Sequence, residues 1–192
     1  HVAQLADDVV PHYGISTGFG ALASKRVPVE QRAILQHSLI RSHAASTGAE
    51  VEREVIRAMM LLRLKTMASG HTGVRREVVL GYAAMLNAGI TPITGEYGSL
   101  GCSGDLAPLA HAALALTGEG IVRDKAGTQM PAAEALAAAG LEPITLREKE
   151  GLALINGTDG MLGMLCLAVH DLRRLLTTAD IATAMSVEGL LG

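Results

Sequence analysis

Residues 98–111 read GSLGCSGDLAPLAH, and they place a small, flexible tripeptide, Cys102-Ser-Gly, directly before an apolar segment. Gly104 has no β-carbon, so its backbone can take geometries that other residues cannot reach. Asp105 belongs to the residue types that cap helix N-termini. The stretch therefore predicts a Gly-rich loop that leads into a helix over residues 105–117.

Helical periodicity extends over most of the remaining chain. The 192 residues are 49 % apolar but only 2 % aromatic, and Ala, Leu and Met are good helix formers. Glycines and prolines mark the ends of the periodic segments. The predicted helices cover residues 2–10, 28–47, 50–69, 75–88, 105–117, 132–139, 149–154 and 158 onward, with a small β-hairpin within 119–130. The predicted fold class is mostly α, with Gly-rich loops.

Composition and charge exclude several classes of function. The net charge is −3 without a basic block, which argues against nucleic-acid and membrane-surface binding. The apolar run Met161–Val169 is too short to span a bilayer. Two cysteines form no disulfide framework, and the start lacks a signal peptide, so a cytoplasmic location is expected. The seven histidines show no metal-ligand spacing, so no metal is expected.

The order of residues in 98–111 resembles the signature of the aromatic amino acid ammonia-lyases and aminomutases, which use 4-methylideneimidazole-5-one (MIO). In that family the Gly amide nitrogen attacks the carbonyl two residues back, and two waters are then lost. The resemblance implies that Cys102, Ser103 and Gly104 form this group and that Ser103 becomes its methylidene. Ala is usual where Cys102 stands, but this side chain stays outside the ring and should permit cyclisation.

Two more motifs follow the family's order. Residues 13–20, YGISTGFG, resemble its tyrosine loop, with Ser16 in place of the usual Asn. The resemblance makes Tyr13 the base for the β-proton; a free tyrosine titrates near about 10, so positive helix ends should assist it. Residues 150–158, EGLALINGT, resemble the motif whose Asn hydrogen-bonds the ring, and this implies that role for Asn156. The helices that follow Gly104 and Asn156 should both direct their positive N-termini at the ring.

Residues 41–45, RSHAA, carry the expected substrate selector. Phenylalanine-type members resemble Phe-Leu at these positions and tyrosine-type members His-Leu, whereas Ser42-His43 resembles the histidine-type version. An imidazole at position 43 can hydrogen-bond an imidazole substrate. The resemblance thus implies an amino acid substrate, bound by Gly20, Ser42 and His43. The segment 86–93, LNAGITPI, resembles the lead-in to the signature and receives no catalytic role.

The resemblance covers residues 12–160 and implies elimination of ammonia from L-histidine to give trans-urocanate. An electrophile could accept the substrate's amine or attack its ring, and the sequence does not choose between them. The family implies a homotetramer with sites built from several chains. Residues 1–192 are therefore expected to be the early part of a longer lyase and to be inactive alone. Within them we expect a loop-rich region 11–27, a cofactor loop 95–105 and a long bundle helix over about 158–192.

Other functions remain as alternatives. Residues 14–18 match the Gly-x-Ser-x-Gly pattern of serine hydrolases, with Ser16 as nucleophile, but that pattern needs a strand before it and a helix after it. Cys102 could act as a nucleophile before a helix end. A purely structural helical scaffold would explain the helices but not the ordered loop motifs. Within the family, an aminomutase or a tyrosine or phenylalanine lyase also stays open, although Ser42-His43 argues against both lyases.

Overall fold

The computed structural model describes residues 1–100 and 104–192, which form eight α-helices, one 3-10 helix (Gly20–Leu22) and five short strands. The helices are α1 (Val2–Ala6), α2 (Val29–His43), α3 (Arg53–Ala68), α4 (Arg76–Asn87), α5 (Leu106–Leu116), α6 (Ala132–Ala138), α7 (Glu150–Ile155) and α8 (Asp159–Gly189). The strands are β1 (Thr47–Glu50), β2 (Thr91–Pro92), β3 (Gly95–Tyr97), β4 (Ile121–Arg123) and β5 (Gln129–Pro131). The mostly α prediction is confirmed.

Helix α5 lies at the centre of the apolar core. Most of its residues are buried, and it contacts α2, α3, α4, α6, α7 and α8. A helix that is apolar around most of its circumference is expected to be buried in this way. Large side chains from α3 and α4, including Met59, Met60, Tyr82 and Met85, fill the space around it. The core thereby fixes the helix that directly follows Gly104.

Three strands lie where the sequence predicts other structure: β1, β2 and β3, the last two within residues 90–104, for which it predicts a loop. The helix predicted over residues 28–47 ends at His43, and Thr47–Glu50 forms β1, which pairs antiparallel with β3. Such pairing depends on partners almost fifty residues apart, and a local pattern does not encode it. The predicted hairpin is confirmed: β4 pairs with β5, and β2 extends the sheet on the other side of β4.

Helix α8 begins near the residue where the sequence predicts a long helix, and its first turns pack against α3. A β-carbon on Gly163 would lie 3.0 Å from the backbone nitrogen of Met59, so the two helices approach closely there. Beyond this crossing, α8 exposes large apolar side chains, among them Leu172, Leu175, Leu176, Ile181 and Met185. Exposed apolar side chains in this number are unfavourable in water and favour contact with another apolar surface.

Among the described residues, one helical segment, 150–189, is long and apolar enough to cross a bilayer by length and composition alone. A third of its most apolar window, 33 %, is already buried within the fold. A helix covered by other protein helices meets the same criterion, so the expected absence of membrane binding stays a prediction.

Candidate active site

Tyr13 and Gly20 lie next to each other on the tyrosine loop, the segment 11–27. The Gly20 N–H donates to the Tyr13 hydroxyl oxygen at 3.2 Å, so the phenol proton is directed elsewhere. The Tyr13 ring packs edge-on against Phe19, with 6.1 Å between the ring centroids. Tyr13 is nevertheless 51 % exposed. The loop thus holds the phenol in place while leaving it accessible to a substrate.

Ser16 lies in the interior of the same loop and is fully buried. Its hydroxyl accepts a hydrogen bond from the His12 backbone N–H at 2.9 Å. The chain before it forms turns and the chain after it forms the 3-10 helix, so the strand–turn–helix context of a hydrolase nucleophile is not met. This geometry argues against the serine hydrolase alternative.

Gln36 joins three of the predicted motifs, and the sequence reasoning missed it. This α2 residue is 1 % exposed. Its amide nitrogen donates to the Gly14 carbonyl at 3.3 Å, and its amide oxygen accepts from the Gly151 N–H at 2.9 Å. One buried amide therefore connects the tyrosine loop, the helix that carries His43 and the helix that leads to Asn156.

His43 occupies the last position of α2 and is half-buried. Its Nδ1 lies 2.8 Å from the Leu39 carbonyl oxygen and 3.0 Å from the Ser42 hydroxyl. The Ser42 hydroxyl itself lies 2.8 Å from the same carbonyl, to which it donates. Because a carbonyl oxygen can only accept, His43 Nδ1 must carry a proton. In the neutral ring, Nε2 is then an acceptor, able to receive an N–H from a bound ligand.

Arg63 of α3 holds the segment around Asn156. Its Nη1 donates to the carbonyls of Ala153 and Asn156 at 3.0 and 3.1 Å, and its Nε donates to the Asp159 carboxylate at 2.9 Å. A β-carbon on Gly157 would collide with Arg63 Nη2 and with the Asp159 carboxylate, so a larger residue there would have to displace this buried ion pair. The Asn156 backbone is therefore fixed from the core side, while the residue itself stays exposed.

The predicted cofactor tripeptide is described only at its last residue, because Cys102 and Ser103 lie outside the described residues. Gly104 is buried, and its carbonyl accepts from the Leu100 N–H at 2.9 Å. The next N–H, that of Asp105, donates to the Gly157 carbonyl at 3.2 Å. This bond brings the first turns of α5 and α8 together beside Gly104, a buried, side-chain-free position of the kind that the expected ring needs.

Asp105 caps a different helix from the one predicted. Its side chain makes no capping bond within α5. The fully buried carboxylate accepts instead from the Met161 N–H at 2.9 Å, in the first turn of α8, and from the Ser99 hydroxyl. Asp105 therefore bonds to the start of α8 through its carboxylate and to the residue Gly157 just before it through its backbone N–H. Its negative charge lies where the two positive helix ends meet, and it reduces the positive potential that the sequence predicted there.

No group of three or more His, Cys, Asp or Glu side chains converges within residues 1–100 and 104–192. The expectation that the protein uses no metal is a prediction that these residues leave open.

Known proteins resemble this chain over its whole length. The chain matches the family model for aromatic amino acid lyase over residues 1–192. It is 64 % identical to histidine ammonia-lyase of Streptomyces griseus over 191 residues, which is 100 % of this chain and 37 % of that protein. The chain thus spans little more than a third of the curated relative's length.

Solved structures show the same fold. Phenylalanine aminomutase of Pantoea agglomerans superposes with a TM-score of 0.91 at 37 % identity, covering 99 % of this chain and 36 % of that one. Histidine ammonia-lyase of Trypanosoma cruzi superposes with a TM-score of 0.89 at 40 % identity, covering 97 % of this chain and 35 % of that one. On its sequence, its fold and the order of its motifs, this chain belongs to the aromatic amino acid lyase family.

Proposed function

We propose that the whole protein that carries this chain removes ammonia from L-histidine to give trans-urocanate. The observation that carries the proposal is the 2.8 Å distance between His43 Nδ1 and the Leu39 carbonyl oxygen, which assigns the proton of the neutral ring to Nδ1. The Nε2 lone pair is then available to the N–H of a neutral imidazole substrate. The 64 % identity to a histidine ammonia-lyase supports the same substrate.

The reaction is difficult because the β-proton is barely acidic and ammonia is a poor leaving group. An MIO group formed from Cys102, Ser103 and Gly104 would supply the electrophile when present. Tyr13 takes the β-proton, and its exposed phenol suits contact with substrate. Asn156 would hold the group through a hydrogen bond. The first turns of α5 and α8 would stabilise negative charge beside it, and the Asp105 carboxylate would weaken that effect.

We further propose that the protein works as a cytoplasmic homo-oligomer, a tetramer by family resemblance. The apolar side chains that α8 exposes beyond Gly163 support association, since such a surface is unfavourable in water. Further substrate contacts would come from the remainder of the protein and from neighbouring copies. Residues 1–192 alone are expected to lack lyase activity.

The test of the proposed function is the intact mass of the full-length protein together with its turnover of L-histidine. Ring formation removes two waters, so the mass should fall about 36 daltons below the sequence mass, and urocanate should form. The Ser103→Ala variant should keep its full sequence mass. A wild-type protein with its full sequence mass would rule out the cofactor. A protein that has lost two waters but does not convert histidine would rule out the substrate.

His43→Leu should lower kcat/KM for histidine by about 10- to 100-fold, because a buried N–H of the substrate would lose its acceptor, at a cost of about 1–3 kcal/mol. Steady-state assays of urocanate formation would measure the change. Arg41→Gln is the matched control, because the Arg41 side chain is 60 % exposed and bonds to Glu119; its kcat/KM should stay within about threefold of wild type. An unchanged kcat/KM in His43→Leu would contradict this role.

A further inference from the structure

A hydroxyl three residues after His43 connects two distant parts of the chain. The Ser46 Oγ lies 2.8 Å from Nε2 of His111, which is on α5, and it also accepts from the Gly95 N–H at 2.8 Å. The Ser46 backbone N–H points to the same His111 nitrogen at 3.4 Å. Three segments of the chain thus meet at one serine.

The direction of these bonds follows from the chemistry of the groups. The Ser46 backbone N–H donates toward His111 Nε2, which requires a lone pair on that nitrogen, so the Ser46 hydroxyl proton is the one that bridges to it. His111 Nε2 is therefore an acceptor, and the ring is neutral with its proton on Nδ1. Burial lowers the pKa of His111, which favours this neutral form.

The hydrogen bonds of Ser46 lie between several parts of the candidate site. Gly95 begins the cofactor loop 95–105 on β3, and His111 lies on the helix that follows this loop. Ser46 follows the last residue of α2, His43, after two alanines. The Ser46 hydroxyl therefore connects the segments on both sides of the cofactor loop to the segment that follows His43, the expected substrate-binding histidine.

We propose that His111 and Ser46 are positioning residues for substrate recognition, and that their hydrogen bond sets His43 at its working distance from the cofactor loop. The role in catalysis rests on the proposed function above. Neither side chain is expected to contact substrate.

A second link near the end of α2 offers a contrast. Arg41 and Glu119 form a two-bond ion pair, with both distances 2.8 Å, but the Arg41 side chain is 60 % exposed. Exposed ion pairs contribute little because water screens them. Arg41→Gln is therefore a matched control near His43 that should leave the site unchanged.

The test compares His111→Met, His111→Gln, Ser46→Ala and Arg41→Gln in the full-length protein. Gln can place an acceptor oxygen near the Nε2 position, whereas Met has similar length and no acceptor at that strength. We expect KM for histidine to rise about 3- to 10-fold in His111→Met and Ser46→Ala, with kcat within about twofold, as for loss of one neutral hydrogen bond. The KM values of His111→Gln and Arg41→Gln should stay near that of wild type. The double variant that combines His111→Met with Ser46→Ala should have a KM no higher than the larger of the two single-variant values.

Two outcomes would overturn the proposal: an unchanged KM in His111→Met and Ser46→Ala, or equal losses in His111→Met and His111→Gln. Hydrogen exchange provides a readout that does not depend on activity. Peptides that cover residues 43–50 and 94–98 should exchange faster in His111→Met than in wild type or His111→Gln. If the wild-type protein does not convert histidine, the proposed function fails. Hydrogen exchange then tests the positioning role by itself, and equal exchange rates in all variants would refute that role.

Discussion

Replacing Tyr13 with Phe should lower kcat for histidine by about 10²- to 10⁴-fold, the range that a positioned general base contributes. The substitution removes only the hydroxyl oxygen that accepts from Gly20, and the ring can keep its edge-on packing against Phe19. Stability should change little, because Tyr13 is 51 % exposed. Single-turnover and steady-state assays of urocanate formation would measure the loss.

The control for Tyr13→Phe is Tyr97→Phe, which removes the hydroxyl of another exposed tyrosine, one to which no catalytic role is assigned. Its kcat should match wild type. The intact mass of both variants should show the same loss of two waters, which separates proton transfer from cofactor formation. A kcat within a few-fold of wild type in Tyr13→Phe would exclude Tyr13 as the base.

Arg63→Met is expected to have the largest effect on stability. Both Arg63 and Asp159 are at most 5 % exposed, and their ion pair is supported by bonds to the carbonyls of Ala153 and Asn156. Removing the guanidinium leaves a buried carboxylate without its partner, which typically costs about 3–5 kcal/mol. The midpoint of denaturant-induced unfolding should fall accordingly, and the loss of support under Asn156 should lower lyase activity as well.

An exposed ion pair of similar geometry gives the matched control. Arg123 and Glu50 make two bonds of 2.7 and 2.6 Å, but about a third of each side chain is accessible to water. Arg123→Met should therefore destabilise the protein by no more than about 1 kcal/mol. Equal shifts of the unfolding midpoint in Arg63→Met and Arg123→Met would show that burial does not increase the contribution of the Arg63 ion pair to stability.

Part of the site could be predicted because its signals are local. Residues 98–111 and 150–158 each place a loop before a helix within a few residues, and their helix starts lie close to the predicted positions. Tyr13 and Gly20 belong to one short loop, although the hydrogen bond between them was not predicted. Periodicity and glycine placement likewise located the helices, because each helix is set by neighbours three and four residues away.

Other parts of the site depend on partners that no local pattern connects. Gln36 reaches residues 22 and 115 positions away, and Arg63 reaches Asp159 across 96 positions. In the sequence, Gln36 and Arg63 cannot be distinguished from the other polar side chains of their helices.

The sequence by itself determined the helical fold class, the order of the motifs and the residue types that the chemistry needs. Only the tertiary structure decided that Asp105 caps α8, that β1 pairs with β3, and that Ser46 binds His111 across 65 positions. The physical reason is that the direction of a buried polar group is set by whichever donor or acceptor the packed core places beside it. Those partners become neighbours only when the apolar faces of α2, α3, α5 and α7 have come together.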